Sequence, residues 1–140
     1  YRVDGTDGSL GILTDTGYVT EEAADALLGV DMLLLEANHD VELLQSGPYP
    51  DFLKRRILGA RGHLSNADAA EFAIRAVGSG ANDIILAHIS EENNTPELAE
   101  YTVTRALESA DYFAGIRIAP RNEVSEVHIC KKSLSFASES

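Results

Sequence analysis

The sequence predicts an α/β chain, and three observations carry that prediction. Short apolar runs alternate with helical stretches, three of the runs end abruptly in acidic residues or histidine, and the helical stretches carry start signals in the right places.

Residues 9–14 (Ser-Leu-Gly-Ile-Leu-Thr) end at Asp15-Thr16-Gly17, the pattern of a buried strand delivering an aspartate into a turn. Thr20 then precedes Glu21, Glu22 and an Ala/Leu-rich stretch to Leu28, closed by Gly29, as in an N-capped helix with an acidic first turn. Residues 31–37 hold Met-Leu-Leu-Leu without alternation, as in a strand covered on both faces, and run into Glu36-Ala37-Asn38-His39-Asp40. A short helix is expected over 39–45 and a turn at Gly47-Pro48-Tyr49-Pro50. A helix over 51–58 follows, exposing Arg55 and Arg56 as the chain's one notable positive cluster.

Ser65 caps a helix over 66–77 whose residues Ala69, Ala70, Phe72, Ala73, Ala76 and Val77 keep helical spacing, so His63 falls just ahead of a helix N-terminus. Residues 83–87 form a third buried strand that delivers His88 and then Ser90. Thr95-Pro96-Glu97 opens a helix to about residue 110. Residues 115–119 and 124–131 alternate apolar with polar and are expected as two exposed or edge strands, with 133–140 a loose terminus.

The 140 residues, 44% hydrophobic, suffice for one domain's core without disulfides, and residues 1–140 read as a single unit with no repeat or linker. The lone cysteine, Cys130, fits a reducing cytoplasm and an inert thiol. No apolar run approaches the roughly 18 residues of a membrane span, and the opening residues lack the pattern of a signal peptide, so a soluble protein with no membrane partner is expected. The chain opens without methionine and enters strand-like sequence at once, as a fragment or a processed product would. A net charge of −12 disfavours nucleic acid at long range, but a bound divalent metal pair would dominate the local field in a cleft.

Asp15, Glu36 and His88 thus end three separate strands, with His63 at a strand-to-helix junction, and ligands of α/β sheets bind outside the carboxyl ends of strands. Aspartate and histidine both bind zinc or manganese, and a Glu–His pair serves to orient a proton donor. Each residue also has a bland reading: Asp15 as a turn former, His88 as a hydrogen-bonded core histidine, His63 as part of a cap, Glu36 as a solvated strand end.

Thr14-Asp15-Thr16-Gly17, Leu34-Leu35-Glu36-Ala37-Asn38-His39, Gly62-His63-Leu64-Ser65 and Leu86-Ala87-His88-Ile89-Ser90 together resemble, in order and spacing, the second half of metallo-β-lactamase-fold hydrolases. Within that family the chain is most similar to the bacterial cytoplasmic nuclease branch near ribonuclease Z. The resemblance implies half of a four-layer αββα sandwich and two divalent metal ions, zinc or manganese. By it, Asp15 bridges the metals, His88 completes the second metal's shell, and Glu36 with His63 assists departure of the leaving oxygen. Asn38, His39 and Ser65 would support the site loops, and Lys54, Arg55 and Arg56 are candidates for nucleic-acid binding.

The family's His-x-His-x-Asp-His cluster, which precedes the aspartate motif, is not in this sequence, and the remaining histidine, His128, lies on the wrong side. The metal centre is therefore expected to need an upstream segment of the same domain or a partner chain, and the chain alone is expected to be inactive. The resemblance implies a metal-dependent phosphodiesterase or exonuclease acting on nucleic acid. A small-molecule metallohydrolase and an inactive structural half-domain remain the alternatives at this stage.

Overall fold

A computed structural model describes residues 1–132; residues 133–140, where the loose terminus is expected, lie outside the described residues. The elements run β1 (Arg2–Asp4), β2 (Ser9–Leu13), α1 (Glu21–Leu27), β3 (Met32–Glu36), α2 (Val41–Ser46), α3 (Asp51–Leu58), α4 (Asn66–Gly78), β4 (Asp83–Ala87), α5 (Pro96–Ser109) and β5 (Gly115–Ile118). The chain is α/β, as the sequence predicts. Thr20, Ser65 and Thr95 cap α1, α4 and α5, each accepting a hydrogen bond from a backbone N–H three residues on. Asp40 does the same for α2, so that helix starts at Val41 and leaves His39 in extended chain.

The five strands form one sheet in sequence order, with β1 antiparallel to β2 and the other neighbours parallel. Parallel crossovers are right-handed almost without exception, so an order that never reverses sends every connecting helix to the same face. The core agrees: Leu33, Leu35, Ile84 and Leu86 of the sheet pack with Ala24 and Leu27 of α1, Phe72 and Ala73 of α4, and Val103 and Leu107 of α5.

Alternation along the strands turns a second set of side chains to the opposite face. Leu10, Ile12 and Leu34 there are half-buried and belong to neither the core nor its rim, while Met32 and Ile85 are buried outside it. Among the described residues only the segment after β5 returns across this side, through Arg117 Nη1 donating to His128 Nδ1 (3.0 Å), Cys130 Sγ donating to Ser9 O (3.0 Å) and Lys132 N donating to Asp7 O (2.9 Å).

That segment corrects one expectation, because residues 124–131 form no strand. Their alternation has no ladder partner beyond β5, and Val124, Val127 and Ile129 lie exposed. The first of the two expected tail strands is β5, an edge strand. Burial raises the pKa of the Cys130 thiol, and Asp31 and Asp83 raise it further, so the group stays protonated and unreactive. Among the described residues no helix is long and apolar enough to cross a membrane.

Candidate metal and phosphate site

The carboxyl ends of β2, β3 and β4 open into three loops that meet above the sheet. Asp15 leaves β2 with φ 57° and His88 leaves β4 with φ 56°, left-handed conformations that non-glycine residues adopt at a cost of about 1–3 kcal/mol. Both of these left-handed residues stand at the loop junction, with Asp15 Oδ1 3.5 Å from His88 Nδ1.

Glu36, at the end of β3, is fully buried beneath them. Its Oε1 accepts from His63 Nδ1 at 2.7 Å and from His88 Nδ1 at 2.5 Å, and its Oε2 lies 3.4 Å from the backbone N–H groups of Thr16 and Leu64. A buried carboxylate is tolerated only when its lone pairs are used, and here one side chain ties together the Asp15, His63 and His88 loops. A carboxylate only accepts, so each ring carries its proton on Nδ1 and keeps Nε2 for other work. The sequence pairs Glu36 with His63; the structure adds His88 to the same oxygen. The bland reading of Glu36 as a solvated strand end does not survive its burial.

The donor set fits a divalent ion. Asp15 Oδ1 is 3.5 Å from His88 Nδ1 and 3.9 Å from His63 Nδ1, and Asp15, Glu36, His63 and His88 each offer a ligand atom within 4.8 Å of the others. Both rings turn Nδ1 to Glu36, which leaves Nε2 as the ring atom that could bind an ion. The Glu36 contacts are shorter, at hydrogen-bond length, so Glu36 orients both imidazole rings. Asp15 is 70% exposed and free to reach an ion, whereas Glu36 is not.

Asn38 Nδ2 donates to His88 O at 2.8 Å, while Asn38 N bonds Leu64 O, so this side chain braces the His88 turn. His39 is buried, bridges Ser65 and bonds Asn38 Oδ1 through Nδ1 at 3.3 Å; burial lowers its pKa and keeps it neutral, with Asp68 pulling the other way. Ser65 is committed to the α4 cap. All three are tied to backbone around the site loops. Behind them Asn66 and Asn94, a pair the sequence analysis did not single out, bond each other reciprocally at 2.8 and 2.9 Å, and Asn94 also donates to Ala37 O.

A cleft of about 1150 Å³ opens over the cluster, with Asp15, Asn38, His63 and His88 on its floor. Of the three basic candidates only Arg56 lines it. Lys54 and Arg55 lie outside the lining, and Lys54 Nζ donates to Gln45 O at 2.7 Å, because on α3 only the positions in step with Arg56, Leu53 and Ile57 turn toward the cleft. Arg61, Arg121 and Tyr49 line it instead. Arg61 and Tyr49 had signals in the sequence, one adjoining Gly62-His63 and the other set between two prolines; Arg121 had none.

A parallel sheet whose carboxyl edge carries an Asp/Glu/His cluster under an open cleft has the layout of a metal-assisted hydrolase. No family model matches the chain. The exodeoxyribonuclease WalJ of Streptococcus pneumoniae (strain D39) is 48% identical over 116 residues, 83% of this chain and 43% of its own length. The exodeoxyribonuclease YycJ of Bacillus anthracis is 37% identical over 128 residues, 91% of this chain and 46% of its own. These likenesses support a metallo-β-lactamase-fold hydrolase, and the chain spans less than half the length of these curated relatives. A solved structure described as a new diphosphatase from the PhnP family aligns at 21% identity and a TM-score of 0.48, covering 89% of this chain and 38% of its own.

Proposed function

We propose that this chain supplies part of a dinuclear metal site that hydrolyses phosphodiester bonds in DNA, as an exonuclease. The observation that carries the reading is the meeting of Asp15, Glu36, His63 and His88, from four separate segments, with donor atoms within 4.8 Å of one another. The likeness to two exodeoxyribonucleases supports the substrate class.

In this reading Asp15 and His88 hold divalent ions, zinc or manganese, which supply Lewis acidity and an activated water. Glu36 fixes both imidazoles through Nδ1. His63 keeps Nε2 for the proton that the leaving oxygen takes up. One aspartate and one histidine are too few to hold two ions, since catalytic zinc sites use about three protein ligands each. The reading therefore makes residues 1–140 the C-terminal part of the domain and draws the remaining ligands from a His-x-His-x-Asp-His segment upstream. The open apolar face of the sheet, through Leu10, Ile12 and Leu34, supports a second sheet there and an αββα sandwich. An enzyme of this kind with one unreactive thiol belongs in the cytoplasm.

Elemental analysis tests it. The 140-residue chain should bind little metal, a form extended to the relatives' full length about two ions, and Asp15→Ala or His88→Ala should each remove them. An extended form that stays metal-free overturns the reading.

A further inference from the structure

Cations are scarce in this chain, and their pairing is uneven. Among the described residues Arg2, Arg75, Arg105, Arg117 and Arg121 each face a carboxylate. The arginines that face none, Arg55, Arg56 and Arg61, all fall between residues 55 and 61, and Arg56 and Arg61 line the cleft that holds His63. In a protein of net charge −12, unpaired guanidinium groups beside a cleft are the ones available to an external anion. Their planar fork suits phosphate oxygens.

The same cleft includes Tyr49, partly buried, whose hydroxyl bonds no described residue. Pro48 and Pro50 flank it, so its backbone is confined before any ligand arrives. Leu53, Arg56 and Ile57 continue the cleft lining along α3, a helix with no buried residue at all. A helix that buries nothing yet turns an apolar and cationic stripe into a cleft has its contacts still to make. Glu91, Glu92 and Glu97 also line the cleft, and Arg121 beside them is already paired with Glu91 and donates to Ile89 O. Phosphates are repelled by those carboxylates and drawn to Arg56 and Arg61.

We infer that Tyr49, Arg56 and Arg61 bind one unstacked nucleotide at the end of a single DNA strand, its base on the Tyr49 ring and its flanking phosphates on the two arginines. The inference rests on the DNA-hydrolase reading and gives it a substrate form. A base inside a duplex has both faces covered by its neighbours, so an aromatic platform selects a strand end whose base is free. Register with the chemistry follows from the chain: His63 N donates to Ile57 O at 3.1 Å and Gly62 N to Gly59 O at 2.9 Å, which ties the arginine-bearing segment to His63. A nucleotide held there keeps one phosphodiester at a fixed distance from the cluster.

The test uses the protein at its relatives' full length and oligodeoxynucleotides with 2-aminopurine, whose fluorescence is quenched by stacking, at the terminal position. Binding is read in chelator, where no turnover occurs, and cleavage separately with metal. Tyr49→Ala should abolish the quenching and raise KM about 5- to 150-fold, the range of one base–aromatic stack, with little change in kcat, while Tyr49→Phe keeps both. On a strand with an abasic terminal nucleotide, Tyr49→Ala should add nothing further. Arg61→Ala should weaken both strands alike and lower the slope of log affinity against log salt by about 0.7, one phosphate's share for a single strand.

Equal losses from Tyr49→Ala on ordinary and abasic strands would make Tyr49 merely structural and overturn the inference, as would unchanged quenching. Hydrolysis of bis(p-nitrophenyl) phosphate reports the metal site independently. An enzyme active on that ester and on DNA, but indifferent to Tyr49, loses the inference and keeps the function. An enzyme inactive on both loses the function, and strand binding in chelator still decides the inference.

Discussion

Burial decides what each polar residue of the site does. Glu36 and His39 stand three residues apart, both shut off from solvent, yet Glu36 spends its carboxylate on two imidazoles and two backbone N–H groups, while among the described residues the His39 ring bonds only Asn38 Oδ1. Burial lowers the pKa of His39 and outweighs the nearby carboxylates of Asp68, Glu36 and Asp40, which pull it up. The stability consequence has a definite sign. Above pH about 6.5 the ring is neutral in both folded and unfolded chains and costs nothing; below it the unfolded chain takes up a proton that the folded one resists, and stability falls until the lowered folded pKa is passed. Urea denaturation between pH 8 and 5 should show that loss, with a slope of at most about 1.4 kcal/mol per pH unit from this one group. His39→Gln should flatten the profile by His39's share, and an unchanged profile would assign the acid sensitivity elsewhere.

The elements that carry the site are joined by contacts too close for any side chain. A Cβ on Gly17 would overlap the carbonyl of Gly59, and one on Gly62 would overlap the carbonyl of Ile57. The loop after β2 is thus pressed onto the turn that ends α3, and that turn is folded back on its own helix just before His63. Gly17→Ala and Gly62→Ala should each cost about 1–3 kcal/mol, the usual range for overpacking, and should lower metal affinity in the extended protein because they separate Asp15 from His63. Urea titration with parallel metal analysis checks both effects, and a variant that loses stability but keeps full affinity would separate the packing from the site.

Much of this level was legible in the sequence. Thr20, Ser65 and Thr95 announced their helices through a local hydrogen bond, and the polar residues ending β2, β3 and β4 announced the site edge. What stayed hidden was relational. That Glu36 serves His88 as well as His63 depends on two loops meeting in space. That Lys54 and Arg55 turn from the cleft while Arg61 enters it depends on how α3 is rolled against the loop after β2. The alternation at 124–131 misled because a strand is defined by a neighbour, and no local pattern supplies one.

At the scale of the whole molecule, the two faces of one sheet are unequal. Successive residues of β3 show it: Leu33 is fully buried among α1, α4 and α5, whereas Leu34, pointing the other way, is half-buried and outside that core. The unreversed strand order is the cause, since it commits the crossover helices α1, α4 and α5 to Leu33's side. A half-covered apolar face is expensive to leave in water, and the relatives are more than twice as long as the segment they share with this chain. Paired substitutions expose the asymmetry. In the 140-residue chain Leu33→Ala should cost about 2–5 kcal/mol, as a core truncation does, and Leu34→Ala should cost less than half of that. In a chain of the relatives' full length, with a second sheet laid on this face, the Leu34→Ala cost should rise into the same range while the Leu33→Ala cost stays put. Equal costs for Leu34→Ala in the two forms, measured by urea denaturation, would mean that nothing further packs on this side of the sheet.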